Sequence, residues 1–150
     1  MNSDQLRDLV IKPTLQYLGM YSHDAENLMA GTCAVESRMG EYIKQLGNGP
    51  ALGIFQMEPA THDDIWDNYI SYRRPIADKV KALMTPDDPH TQLITNLAYA
   101  TAMARIHYWR QTGKIPSDLE GQAKYWKDHY NTHLGAGTVE KYIDAYKKYA

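Results

Sequence analysis

Ala25-Glu26-Asn27-Leu28-Met29-Ala30-Gly31-Thr32-Cys33-Ala34-Val35-Glu36-Ser37 reads as an amphipathic helix whose apolar face ends in an acid. Ala25, Leu28, Met29, Thr32 and Cys33 recur at helical spacing, and Glu36 continues the stripe for one more turn. In a last turn the helix macrodipole disfavours negative charge, and a position on the stripe predicts partial desolvation. Both effects favour the protonated carboxyl. A carboxylic acid held neutral near about pH 6 to 7 is what general-acid cleavage of a glycosidic bond requires. A glutamate that merely emerges at a helix end has the same spacing, so the stripe alone leaves both outcomes open.

The surrounding pattern predicts a mainly α chain. Leu6, Leu9, Val10, Leu15 and Leu18 form a first helix ending near Gly19, kinked or split by Pro13. Ser22 or Asp24 can cap the helix that carries Glu36. From Gly40 to Pro59 the glycines at 40, 47, 49 and 53 and the Gly49-Pro50 break predict a loop or small β-hairpin. Thr61 can cap the next helix, with Asp63 and Asp64 in its first turn and Ile65, Trp66, Tyr69 and Ile70 facing inward. Ile76, Val80, Leu83 and Met84 mark a short helix stopped by Pro86-Asp87-Asp88-Pro89. Thr91 to Arg110 reads as one central buried helix. Ser117-Asp118-Leu119-Glu120 reads as a capping box opening a helix through Trp126, and Thr138 caps a last helix with Val139, Tyr142, Ile143 and Tyr146 inward.

At 150 residues, with no repeat or linker, one domain over 1–150 is expected, long enough to build a core without metals or disulfides. The single cysteine, Cys33, excludes an intrachain disulfide and, on the apolar stripe, reads as a core thiol. A net charge of −2 with scattered Lys and Arg argues against nucleic acid as a partner and gives no bulk attraction to anionic membranes. Met1 to Val10 carries Asp4, Arg7 and Asp8 and lacks the apolar core of a signal peptide, and no stretch approaches a membrane span. His129 and His133 have a metal-like spacing, but no carboxylate or cysteine completes a set, so no metal is expected there. His62-Asp63-Asp64 reads as a cap and first turn.

Three separated segments resemble one family, the lysozyme-like lytic transglycosylases and their goose-type lysozyme relatives. Glu36-Ser37 matches the family's Glu-Ser. Gly53-Ile54-Phe55-Gln56-Met57, with Pro59 and Thr61, resembles its Gly-Leu-Met-Gln segment and the Pro and Thr that follow, and Tyr130-Asn131 resembles its Ala-Tyr-Asn. Order and rough spacing agree from about residue 25 to 143. Ile54-Phe55 stands for the usual Leu-Met, His129 for Ala, and Thr132-His133-Leu134-Gly135-Ala136-Gly137 for a shorter turn, which makes the cleft floor the weakest part of the match.

The resemblance implies a lysozyme-like fold acting on peptidoglycan glycan strands, with Glu36 catalytic and Ser37, Gly53, Gln56, Met57, Tyr130 and Asn131 binding substrate. Ser37 and Gln56 would orient the saccharide, Tyr130 would position Glu36, and Gly53 would let backbone approach the sugar. Glu41 is the one acid between residues 37 and 57, and a scarcity of second carboxylates favours the transglycosylase route. There one acid does both steps and leaves a 1,6-anhydromuramic end, with no metal or cofactor. A water-using muramidase with Glu41 or Glu58 as base stays open, as does a non-catalytic virion protein that retains the fold. A wall-degrading chain without an export signal points to a bacteriophage virion or lysis protein, delivered from the host cytoplasm or the virion to the periplasmic wall with virion or tail proteins as partners, or to a protein exported by a dedicated machine.

Overall fold

A computed structural model describes residues 1–131 and 135–150. The chain is mainly helical, and among the described residues no strand forms. The first helical run is continuous but irregular: α1 (Ser3–Leu6) passes through a π segment (Arg7–Ile11) into α2 (Lys12–Leu18). The expected disturbance at Pro13 takes that form. Proline has no N–H to give to the preceding turn, and the wider π turn just before it accommodates the ring. Gly19, at φ 73°, closes α2 in the left-handed conformation, its N–H bonded back to Gln16 and Leu15.

Ser22 caps α3 (His23–Ser37) by accepting the Ala25 N–H. Ala25, Leu28, Met29 and Cys33 are buried as the stripe requires. Gly31, on the same helix, has a role its sequence position did not announce: a Cβ there would occupy the place of the Tyr142 hydroxyl, so glycine lets α9 (Val139–Tyr149) lie directly on α3. The Tyr142 hydroxyl donates to the Leu28 carbonyl at 3.3 Å.

Between α3 and the next helix the chain is a loop with two isolated antiparallel bridges, Lys44 with Leu52 and Leu52 with Met57. The next helix, α4 (Pro59–Asn68), begins two residues before the expected Thr61 cap, with Pro59 in its first turn, where a fixed φ and a missing N–H cost nothing. Ile65 and Ile70 are buried beneath it. A 3₁₀ turn (Ile70–Tyr72) leads to α5 (Arg74–Leu83), which buries Ala77 and Val80.

The central helix is two helices. α6 (Pro89–Thr95) ends at Asn96, whose extended backbone breaks the run and whose side chain accepts the Tyr99 N–H to start α7 (Leu97–Trp109). The apolar pattern runs through both, and only the cap residue marks the break. α7 is buried on both faces. Ala100, Ala104 and Tyr108 join a cluster with Leu15, Leu28, Met29 and Trp126. Tyr99, Met103 and Ile106 join a second cluster with Leu18, Ile65, Val80 and Leu93.

Asp118, rather than Ser117, caps α8 (Leu119–Trp126), accepting the Gly121 N–H, while the Ser117 hydroxyl donates to Asp24. α8 then widens into a π segment (Lys127–Asn131). Thr138 caps α9, in which Tyr142 is fully buried and Val139, Ile143 and Tyr146 pack partly buried against the core. No helix among the described residues is long and apolar enough to cross a membrane.

Candidate functional site

Glu36 is carried to the surface by the last turn of α3, and the chain then reverses sharply. Arg38, Met39 and Gly40 follow one another at φ 52°, 59° and 78°, a left-handed run that directs the chain away from the helix. Met39 is buried despite this backbone. Such geometry in two non-glycine residues costs energy and persists only where surroundings hold it. The Ser37 hydroxyl is part of what holds it: it donates to the Ile54 carbonyl at 2.6 Å, lies 3.1 Å from the Cys33 carbonyl, and accepts the Gly40 N–H at 2.8 Å.

Ser37 therefore does not face the cleft. It is fully buried, its hydrogen-bonding capacity is spent on backbone, and it ties the end of α3 to the 53–57 segment. Gly53 needs a similar correction. At φ 80° a side chain is strained, and a Cβ would collide with the Leu93 carbonyl oxygen of α6, so its close backbone approach is to protein and not to sugar. Met57 is buried in the second apolar cluster beside Ile65 and Leu93, where it packs and does not face the cleft.

Gln56, Tyr130 and Asn131 do reach the cleft, together with Glu36, Tyr42, Glu58 and Trp126, around a cavity of about 470 Å³. Gln56 sits at φ 48°, and its amide donates to the Gly53 carbonyl at 2.9 Å, which fixes the side chain against its own turn. The π segment delivers Tyr130 and Asn131: one extra residue per turn rotates side chains to positions a regular continuation of α8 would not reach. The Tyr130 hydroxyl donates to the Phe55 carbonyl at 2.6 Å and its ring stacks on Tyr108, with centroids 5.2 Å apart. Asn131 accepts from the Lys127 ammonium at 2.8 Å.

The group that holds Glu36 is not Tyr130 but Trp126. Its indole N–H donates to Glu36 Oε2 at 3.0 Å, while the Tyr42 hydroxyl donates to the Glu36 backbone carbonyl at 2.9 Å. Trp126 is 1% exposed and packs on Tyr142. The sequence marks it only as the end of a helix, because a contact across 90 positions leaves no local signal. Glu36 itself is partly buried. Desolvation pushes its carboxyl up to about 7, and the Trp126 hydrogen bond, which favours the ionised form, works against that rise. The acid is thus balanced between its two protonation states near neutrality, which suits a group that must give a proton and then take one.

Two further carboxylates were candidates for a second catalytic group. Glu41 is exposed and pairs with Arg38 at 3.5 Å, outside the cleft lining. Glu58 is exposed and lies on the cleft wall. The His129–His133 pair falls partly outside the described residues, and His129 packs edge-on against Tyr125 at 4.4 Å. His62, read from the sequence as part of a cap and first turn, lies inside α4 and is buried. Comparison with known proteins adds nothing to this picture: no family model matches the chain, and neither the curated proteins nor the solved structures give a match.

Proposed function

We propose that the chain is a peptidoglycan lytic transglycosylase, cleaving the MurNAc-β-1,4-GlcNAc bond with Glu36 as acid and then base. The observation that carries this is the Glu36 carboxyl, raised to about 7 by burial and held by an indole N–H, on the wall of a cavity of about 470 Å³. The ordered Glu-Ser, Gly-Ile-Phe-Gln-Met and Tyr-Asn segments support the substrate class by resemblance, although Ser37, Gly53 and Met57 within them serve the fold. In this scheme protonated Glu36 gives its proton to the glycosidic O4 as the C1–O4 bond breaks, and the sugar's N-acetyl oxygen stabilises the positive charge at C1. The Glu36 carboxylate then takes the proton of the C6 hydroxyl as O6 closes on C1, which regenerates the acid and consumes no water. Trp126 steadies the carboxylate between the two transfers, because its N–H bonds the ionised form more strongly. Gln56, Tyr130 and Asn131 line the cavity where the saccharide would lie.

Glu58 favours a second mechanism. It shares the cleft with Glu36, so a muramidase in which Glu58 activates water fits the same walls, whereas Glu41 does not line them. Mass spectrometry of purified sacculi digested in ¹⁸O-labelled water separates the two. Anhydromuropeptides without label are expected; labelled reducing muramic ends in the first products would make the enzyme a hydrolase. Intact sacculi at high enzyme concentration would refute catalysis altogether and leave a binding or virion-structural role.

A further inference from the structure

Outside the cleft lining, His62, Asp63 and His90 bring three metal-ligating atoms within 4.8 Å of one another. Asp63 Oδ1 is the centre of the group, 2.9 Å from His62 Nδ1 and 2.7 Å from His90 Nε2. The two rings meet edge to face, with centroids 5.0 Å apart. None of the three lines the cleft. We propose that these residues form a zinc site that fastens the start of α4 to the start of α6.

The group is more than a surface cluster. His62 is 3% exposed, and its other ring nitrogen, Nε2, lies 2.6 Å from the Tyr99 hydroxyl, which also receives the Trp66 indole N–H at 2.9 Å. Without metal, Nδ1–H donates to Asp63 and the Tyr99 hydroxyl donates to Nε2; a bound ion would take the place of the Nδ1 proton, and the phenolic oxygen can then accept from both Nε2–H and the Trp66 N–H. This is the arrangement found around metal-ligating histidines, in which the far ring nitrogen is held by a fixed polar partner that sets tautomer and ring angle. His90 and Asp63 are partly open to water, so a fourth position can be filled by solvent.

The donor set excludes the hard, oxygen-seeking cations and leaves the imidazole-binding transition metals, of which zinc is the one without redox chemistry. Two imidazoles and one carboxylate suit zinc, whereas calcium and magnesium demand shells made mainly of oxygen. The placement gives the ion a purpose. α4 starts one residue after Glu58, and Gly53 rests on the Leu93 carbonyl of α6, so both helices brace the wall that carries Gln56 and Glu58. An ion joining them would stiffen that wall without entering the bond-breaking chemistry, whatever that chemistry is.

The test is calorimetric titration of tag-free, chelator-stripped protein with zinc chloride, alongside magnesium and calcium chloride. One zinc per chain with proton release is expected, with no response to the other two ions. His90→Ala removes a partly exposed ligand and Asp63→Asn keeps the side-chain shape; each should weaken zinc binding by more than the ~10–100-fold typical of losing only an outer partner. Wild-type thermal unfolding should rise with zinc, and that rise should vanish in both variants. His129→Ala should bind as the wild type does. Absence of zinc binding, binding undiminished in His90→Ala and Asp63→Asn, or binding lost in His129→Ala would each overturn the proposal.

Discussion

Replacing Glu36 by glutamine should make the protein more stable at mildly alkaline pH while removing its activity. At low pH both the folded and the unfolded chain carry a neutral Glu36, and its environment contributes no pH-dependent term. As pH rises past the ordinary value of 4.5 the unfolded chain ionises, but the folded chain resists until about 7. The unfolded state therefore gains, stability falls across that window, and it levels off above it. At about 1.4 kcal/mol per pH unit, the interval sets a ceiling of roughly 3 kcal/mol. Water contact at the cleft mouth lowers the expected penalty to about 2 kcal/mol. The amide introduced by Glu36→Gln never ionises and can still accept the Trp126 N–H, so the variant should escape that penalty. Urea unfolding of both proteins from about pH 4 to 8 provides the measurement. Any fixed cost of burying an amide shifts the variant's curve uniformly, and only the difference in slope between the two curves is diagnostic. The stability advantage of Glu36→Gln should grow by about 2 kcal/mol between the ends of that range, while turnover falls by about 10²–10⁴-fold. Parallel curves would show that Glu36 titrates as an ordinary surface carboxylate, and the general-acid assignment would lose its physical basis.

Glu58→Gln and Glu41→Gln should both retain most sacculus-clearing activity if one carboxylate performs both steps. A loss in Glu58→Gln as deep as that of Glu36→Gln, accompanied by label from ¹⁸O water, would establish a hydrolase. Gly53→Ala should cost at least about 2 kcal/mol in urea unfolding, since a Cβ there meets the Leu93 carbonyl on a positive-φ backbone; a near-neutral variant would mean that α6 does not press on this turn. Ser37→Ala should lower stability by about 1–3 kcal/mol because it strands the buried Ile54 carbonyl and the half-buried Gly40 N–H. Unchanged stability combined with a raised KM would restore Ser37 as a substrate contact.

The sequence made legible what depends on neighbours in the chain. The α3 stripe, the Ser22 and Thr138 caps and the stop at Gly19 are local signals, and each occurs where spacing places it. What it concealed depends on distant partners. Asn96 divides α7 from α6 although the hydrophobic pattern runs on, because a single side chain that accepts its own N3 amide outweighs the continuity of the stripe. Gly31 and Gly53 looked like a helical residue and a loop residue. Their use, admitting the Tyr142 hydroxyl and the Leu93 carbonyl, is fixed by chain more than 30 positions away.

The candidate site divides along the same line. The motifs mark Glu36 and the segments that surround it, but the resemblance assigns Ser37, Gly53 and Met57 to the substrate along with Gln56, Tyr130 and Asn131. Within the Glu-Ser pair one residue looks into the cleft and the next, about 100° around the helix, looks into the protein. Ser37 and Gly53 hold the shape against which Gln56 and Tyr130 are set: Ser37 and Tyr130 grip the carbonyls of the successive residues Ile54 and Phe55, and Gly53 anchors the start of that turn to α6. The turn is thereby fixed from three sides, and it leads directly into Gln56 on the cleft wall. A motif can thus be rigid in sequence for two distinct reasons, contact with substrate and support of the contact, and only burial and hydrogen-bond partners tell them apart. By that criterion loss of the acid should first change rate and loss of the serine or the glycine should first change stability, while Trp126, Gln56 and Tyr130, which line the cleft and also bond within the protein, should change both.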